Sequence, residues 1–120
     1  MNKTTGFASP AQGYEVEAID LNRLLILNPP ATYFMRLETS EMAELGLPRG
    51  SLLIVDRSKT PINNSIVIIR HDGQFLCRQL VKQKGKTHFT NGNEEIYPIS
   101  DNTEVIGVVT ASIKRYSNEP

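Results

Sequence analysis

The sequence has one cysteine, no tryptophan and no long apolar run. The single thiol, Cys77, cannot form an internal disulfide, which fits a reducing compartment. The longest unbroken apolar runs cover about four residues, whereas a membrane-spanning helix needs about 18. No charged leader followed by an apolar segment opens the chain. These absences predict a cytoplasmic protein that has no membrane partner.

An excess of charge of either sign is also lacking, because 13 basic side chains balance 13 acidic ones. The overall charge therefore gives no reason to expect direct, sequence-specific nucleic-acid binding, and no helix-turn-helix pattern is present. Two isolated histidines and the absence of a Cys/His cluster predict no metal site. No motif indicates a cofactor. The 120 residues suffice for a single hydrophobic core.

The chain divides into a leader, one domain and a short tail. Residues 1–13 contain one large apolar side chain, Phe7, so we expect a flexible leader, with a docked arm as the alternative. Residues 14–116 form the predicted domain, and residues 117–120 a frayed tail. Asp20 is the predicted N-cap of one short helix, which the sequence Asn-Pro-Pro at 28–30 stops.

The rest of the domain has the pattern of short strands separated by turns. Strands are predicted at residues 32–37, 52–55, 65–70, 74–81, 88–90 and 104–116. The sequences LPRG at 47–50, HDG at 71–73 and KGK at 84–86 predict turns. The fold class is therefore mainly β, with antiparallel strands and one short N-terminal helix.

One charged residue falls where a core residue is expected. In QFLCRQLV, at 74–81, alternation places Phe75 and Cys77 on one face of a strand. Leu76, Arg78 and Leu80 then share the other face. A guanidinium between two leucines is costly to bury unless a carboxylate or other acceptors meet it. The sequence thus predicts a partner for Arg78.

Several segments together resemble the LexA/UmuD family of self-cleaving SOS-response proteins. They are GFASPA at 6–11, IDLNRLLILNPPATYF at 19–34, LLIVD at 52–56, HDGQF at 71–75 and GVV at 107–109. The resemblance implies the antiparallel β fold of that family's C-terminal domain, and a dimer. It also implies a Ser–Lys dyad, in which a neutral lysine removes the serine proton. The serine then attacks a peptide bond that precedes a glycine in the protein's own N-terminal arm.

Both dyad positions carry other residues in this chain. The family's Gly-Asp-Ser-Met stretch falls on residues 39–42, where Met42 matches and Glu41 occupies the serine position. The lysine position falls on Arg78. A carboxylate is a poor nucleophile toward an amide, and an arginine with a pKa above about 12 cannot act as a base near neutrality. We therefore predict a pseudo-peptidase with no catalytic residues.

The exchange of both residues predicts an ion pair between Glu41 and Arg78, and the planar guanidinium suits a bidentate contact. The alternative is an exposed Glu41 and an Arg78 that extends between its leucines to water. Ser40 neighbours the former nucleophile, but it points in another direction and lacks a base. We expect Ser40 to be the N-cap of a short turn through Ala43 and Glu44.

The resemblance places a vestigial cleavage position at Thr5–Gly6. Only five residues precede Gly6, so the chain is expected to begin almost where the processed form of the family would begin. Such a protein has no use for a protease that removes its arm. This expectation is independent of the two dyad positions.

The resemblance further implies the partners. We expect a homodimer that acts as an accessory subunit of a UmuC-type error-prone polymerase in SOS mutagenesis, with the RecA filament as a further partner. The alternative is a regulatory protein that forms heterodimers with a cleavage-competent UmuD- or LexA-like relative. A third hypothesis keeps serine peptidase activity in trans through Ser40.

Overall fold

The computed structural model describes residues 20–93, 96–98, 100 and 102–117. The predicted leader, the Thr5–Gly6 position and all of the predicted tail except Ser117 lie outside the described residues. Within the described part, one short helix precedes a β-sheet, as the sequence predicts. No described helix is long and apolar enough to cross a membrane. The same residues contain no group of three or more His, Cys, Asp or Glu side chains that could hold a metal ion.

Helix α1 covers Leu21–Leu25, and Asp20 is its N-cap as predicted. The Asp20 Oδ1 accepts hydrogen bonds from the backbone N–H groups of Asn22 and Arg23, at 3.0 and 3.4 Å. These contacts satisfy donors that a helix start otherwise leaves unpaired. The helix ends before the prolines, and a 3-10 turn at Pro29–Ala31 leads into the first strand.

The described strands form one seven-stranded antiparallel sheet. Their bounds are β1 Thr32–Arg36, β2 Leu52–Asp56, β3 Ile66–His71, β4 Gln74–Gln83, β5 Lys86–Thr90, β6 Ile96–Pro98 and β7 Thr103–Ile113. Six of them confirm predicted strands within a few residues at each end. The spatial order of the strands is β1-β2-β7-β3-β4-β5-β6. The last strand in sequence, β7, therefore lies between β2 and β3.

Strand β7 packs tightly between β2 and β3 at Gly107. A Cβ atom at this position would lie 2.7 Å from the Val55 Cγ1 and 3.2 Å from the Asp56 carbonyl oxygen. Both ladders of β7 shift register near this point, between Ile54 and Val55 on β2 and between Ile68 and Ile69 on β3. A glycine is therefore required where the irregular strand approaches the backbone of β2.

The predicted turn after β3 is confirmed as a tight hairpin. Asp72 and Gly73 both have positive φ, at 51° and 82°, and His71 pairs with Gln74 on either side of them. Two successive positive φ values are typical of the type I′ turn, which matches the twist of the flanking strands.

Both faces of the sheet are covered by apolar side chains. The first core contains Leu37, Met42, Leu47, Leu53, Val55, Ile68 and Cys77, and the second contains Val67, Ile69, Leu80, Phe89 and Val108. Strand β4 supplies Cys77 to the first core and Leu80 to the second. The alternation predicted for this strand is thus confirmed, and it places Arg78 on the side of the second core.

Candidate functional site

The segment between β1 and β2 carries Glu41, the residue that the family resemblance assigns to the nucleophile position. Met42, with no exposed surface, anchors this segment in the first core. A 3-10 turn follows at Ala43–Leu45, and Gly46 ends it with a φ of 86°. Because Met42 is fixed by its burial, Glu41 lies immediately before a defined point of the fold.

The prediction that Ser40 caps this turn is wrong. The N-cap position is Met42, and no side chain caps the turn. Ser40 contributes only its backbone carbonyl to the bend, which accepts a hydrogen bond from the Ala43 N–H at 3.1 Å. The 3-10 turn begins after Met42, later than predicted, because the burial of the Met42 side chain, rather than a hydrogen bond from the Ser40 hydroxyl, determines its start. The Ser40 side chain itself is exposed.

Strand β4 pairs with β5 from Gln79, opposite Thr90, to Gln83, opposite Lys86. Arg78 lies just before this paired stretch. The Arg78 side chain is 1% exposed. Its Nη1 donates to the Cys77 carbonyl at 2.7 Å, and its Nη2 donates to the Glu41 Oε2 at 3.4 Å. The structure therefore brings together the two residues that the sequence predicts as a pair.

The geometry of the pair differs from the prediction in two respects. The contact with Glu41 uses a single carboxylate oxygen rather than a bidentate fork, because Nη1 is directed to the Cys77 carbonyl. The Glu41 side chain is 45% exposed, so the carboxylate is not buried. The same Oε2 also accepts a hydrogen bond from the Thr39 Oγ1 at 3.5 Å, a partner that the sequence did not indicate. Water screens such a pair and reduces its contribution to stability.

A cavity of about 270 Å³ opens beside Glu41. We call it the Glu41 cavity; its lining includes Met35, Leu37, Glu41, Ile68 and Cys77. Burial raises the pKa of the Cys77 thiol to about 12, and the charge of Arg78 opposes this only in part. Cys77 is therefore protonated at neutral pH and is no nucleophile. No lysine or histidine is among the residues that line the cavity.

A second cavity, of about 530 Å³, lies beside β1. We call it the Arg57 cavity; its lining includes Tyr33, Met35, Arg57, Phe75 and Ile106. Burial raises the pKa of the Tyr33 hydroxyl, and the positive charge of Arg57 partly offsets that effect. This cavity was missed from the sequence, since its residues come from the 3-10 turn, β1, β4, β7 and Arg57, which follows β2. Only the adjacency of Arg57 to the LLIVD strand could have indicated it.

The side chains of Glu41 and Arg78 differ in chemistry from those of a serine and a lysine. A guanidinium stays protonated near neutral pH, and a carboxylate attacks an amide poorly. A Ser40 nucleophile would need a base within about 3.2 Å of its hydroxyl. Among the described residues, neither Arg78 nor the lining of the Glu41 cavity offers a neutral amine or imidazole.

Known proteins match this chain over nearly its full length. The peptidase S24-like family matches residues 2–110. Protein SamA of Salmonella typhimurium is 37% identical over 112 residues, which cover 92% of this chain and 79% of SamA. Protein ImpA of Escherichia coli is 34% identical over 120 residues, covering 92% of this chain and 77% of ImpA.

Two further proteins are also similar to this chain. Protein MucA of Escherichia coli is 34% identical over 114 residues, covering 92% of this chain and 78% of MucA. The LexA repressor of Pectobacterium carotovorum is 31% identical over 74 residues, which are 62% of this chain and 37% of the repressor. Together with the antiparallel sheet, these matches confirm the family: the chain belongs to the peptidase S24-like, or LexA/UmuD, family, as a UmuD-like protein of the SOS mutagenesis type.

Proposed function

We propose that this protein is a non-catalytic, UmuD-like accessory subunit of a UmuC-type error-prone polymerase. In this role it acts as a homodimer in the cytoplasm, supports mutagenesis during the SOS response and also meets the RecA filament. It cleaves no peptide bond. The polymerase supplies the chemistry, and this subunit supplies a binding surface.

The observation that carries the proposal is the contact between Glu41 and Arg78. The family resemblance assigns these residues to the positions of the serine and the lysine, and the Arg78 Nη2 lies 3.4 Å from the Glu41 Oε2. Neither residue has the chemistry of the group it replaces. Because the two changes are complementary in charge, they support a retained fold with a different use for the site.

A cleavage assay tests the loss of activity. The protein is incubated with an arm-bearing relative whose own serine has been replaced by alanine, at neutral and at alkaline pH. We expect no cleavage, whereas a cleavage-competent relative should cut the same substrate. Cleavage that disappears in Ser40→Ala would contradict the proposal and establish a peptidase that acts through Ser40.

The Glu41→Ser, Arg78→Lys double variant extends this assay. It restores the residue types of the dyad at the positions that the structure brings together. Cleavage by the double variant, but by neither single variant, is the expected result if the remaining cleft is intact. This result would support descent of the site from an active dyad.

Copurification tests the accessory role. The tagged protein is coexpressed with a UmuC-type polymerase subunit, and separately with a cleavage-competent UmuD-like relative. We expect a complex with the polymerase that survives gel filtration. A stable complex with the relative alone would instead favour the second candidate, a heterodimer that regulates cleavage. Membership of a family that contains longer, 34–37% identical relatives is the observation behind this candidate.

A further inference from the structure

The hairpin between β4 and β5 extends beyond the strands on either side of it. Strand β4 pairs with β3 only as far as Gln79, whereas its pairing with β5 continues to Gln83, opposite Lys86. Strand β5 in turn pairs with β6 only from His88 onward. Residues 82–87 therefore form a two-stranded ribbon that no other described strand borders. We call it the lysine ribbon.

The lysine ribbon carries three exposed cations, Lys82, Lys84 and Lys86. Residues 73–93 contain no aspartate or glutamate, so the zero net charge of the chain conceals a local excess of positive charge. None of the ion pairs among the described residues involves these lysines. Cations that are clustered in this way attract an anionic partner.

Lys84 has a backbone conformation that lysine rarely adopts. Lys84 and Gly85 both have positive φ, at 52° and 75°, and they form the two-residue loop between Gln83 and Lys86, as in a type I′ turn. The first position of such a turn favours asparagine, aspartate or glycine, and the β3–β4 hairpin has Asp72 there. A lysine at this position strains the backbone, and strained residues occur preferentially at functional sites. A function for the charge at the tip of the ribbon would explain the strain.

The three lysines extend in different directions from the ribbon. Lys82 lies two residues after the core residue Leu80 and shares its face, whereas Lys86 pairs with Gln83 on the opposite face. Lys84 is at the tip. The major groove of B-form DNA is about 12 Å wide and admits a two-stranded β-ribbon. A ribbon that enters this groove end-on directs one lysine toward each of the two bordering phosphate strands and the third into the groove.

We propose that the lysine ribbon enters the major groove of duplex DNA and binds phosphates of both strands without reading the base sequence. The inference goes beyond the proposed accessory role and does not depend on it. Duplex DNA is favoured over a single strand because residues 82–87 contain no aromatic side chain on which a base could stack. It is favoured over a membrane because the same residues include no large apolar side chain that could enter lipid. Duplex RNA is unsuitable because its major groove is deep and narrow.

Fluorescence anisotropy with a fluorescein-labelled DNA duplex tests the proposal on the full chain. We expect binding at low salt concentration that is equal for two unrelated sequences, since phosphate contacts carry no sequence information. Binding should be weaker for an RNA duplex. Each lysine–phosphate contact contributes about 0.9 to the steepness with which log affinity falls with log salt concentration. Replacement of one ribbon lysine by glutamine should therefore reduce that steepness by about 0.9.

A triple variant and a charge-matched control assign the binding to the ribbon. The variant Lys82→Gln, Lys84→Gln, Lys86→Gln should weaken duplex binding by at least about tenfold at low salt concentration. The control loses the same number of positive charges at exposed residues outside the ribbon and should keep the affinity within about twofold. It carries the substitutions Arg49→Gln, Lys59→Gln and Arg115→Gln.

Lys84→Asn separates binding from folding. Asparagine adopts positive φ more readily than lysine, so this variant should raise the urea midpoint of unfolding. The same variant should weaken duplex binding and reduce its salt dependence, because one phosphate contact is lost. A lysine with a purely structural role would not move stability and affinity in opposite directions.

The inference would be overturned by the absence of duplex binding at low salt concentration, or by equal affinities of the triple variant and its control. Binding of the RNA duplex as tight as that of the DNA duplex, or a preference for one of the two sequences, would also contradict it. Polyglutamate that binds as tightly as the duplex, and that the triple variant no longer binds, would identify an acidic protein as the occupant instead. Copurification with the polymerase tests the accessory role separately.

Discussion

The side chain of Leu45 lies directly against Gly92, so that a Cβ at Gly92 would be only 2.8 Å from the Leu45 Cγ. Leu45 belongs to the 3-10 turn that follows Met42, and Gly92 follows strand β5. This contact holds the bend that carries Glu41 against the region where β4 and β5 separate. The position of Glu41 relative to Arg78 thus depends on packing as well as on charge.

Gly92→Ala should therefore destabilise the protein more than Gly85→Ala. Both glycines have positive φ, at 89° and 75°, so both variants incur a similar backbone strain of about 1 kcal/mol. Only Gly92 has a close neighbour, whereas nothing lies within 4 Å of a Cβ at Gly85. Overpacking costs about 1–3 kcal/mol more. Equal urea midpoints for the two variants would show that Leu45 moves aside without cost.

Arg78→Ala should lower the free energy of unfolding by about 2–4 kcal/mol, since it removes a fully buried side chain and its hydrogen bond to the Cys77 carbonyl. The control is Arg70→Ala. Arg70 pairs with Glu104, but the two side chains are 49% and 57% exposed. We expect that control to cost less than about 1 kcal/mol. Urea unfolding that gives similar losses for both variants would contradict the burial of Arg78.

Glu41→Gln should change the free energy of unfolding by less than about 1 kcal/mol, because the carboxylate is half-exposed and makes a long contact of 3.4 Å. The amide oxygen of the glutamine can still accept a hydrogen bond from the Thr39 Oγ1. Glu104→Gln, in the exposed pair with Arg70, is the matched control and should behave alike. A loss as large as that of Arg78→Ala would mean that the ion pair, rather than the buried arginine, holds the bend.

Tyr33→Phe should raise the free energy of unfolding by about 1 kcal/mol. The Tyr33 hydroxyl is buried and has no hydrogen-bond partner among the described residues. Leaving such a group unsatisfied costs about 1–3 kcal/mol, and the substitution removes the group. Tyr116→Phe is the control, because Tyr116 is exposed and should show no change. Destabilisation by Tyr33→Phe, measured by thermal or urea unfolding, would reveal a partner for the hydroxyl.

Asp56 should make stability depend on acid pH. The Asp56 Oδ1 accepts hydrogen bonds from the Ser58 Oγ at 2.6 Å and the Ser58 N–H at 2.8 Å, and these lower the pKa of the carboxyl. A lowered pKa in the folded state means that the contribution is complete above the ordinary value of 3.8 and is lost as pH falls through the folded-state pKa. Urea midpoints between neutrality and about pH 2.5 should fall less steeply in Asp56→Asn.

Much of the fold follows from local sequence patterns. Asp20, the Asp72–Gly73 turn and the period-two strands are local signals, and the structure confirms each of them. Strand β6 was missed, because Ile96–Pro98 is short and ends in a residue that cannot donate to a ladder. Strand β6 pairs with β5 in the folded protein, and the sequence of three residues alone does not indicate this pairing.

The site was predictable where it depended on residue type and alternation, and unpredictable where it depended on packing. Alternation in β4 predicted the burial of Arg78, and the exchanged charges predicted its contact with Glu41. The competition from the Cys77 carbonyl and the exposure of the carboxylate follow from how the bend lies on the sheet. No local pattern contains that information, nor does one indicate that residues of β1, β4 and β7 line one cavity together with Arg57.

The placement of β7 has a consequence for biosynthesis. A ribosome delivers residues 103–113 after the other six described strands, yet β2 and β3 are joined only through β7. Until it emerges, β2 and β3 each have one unfilled edge, and distant pairings of this kind form slowly. A nascent chain stalled before residue 103 should thus be readily digested by protease, and release from the ribosome should be followed by a sharp gain in resistance.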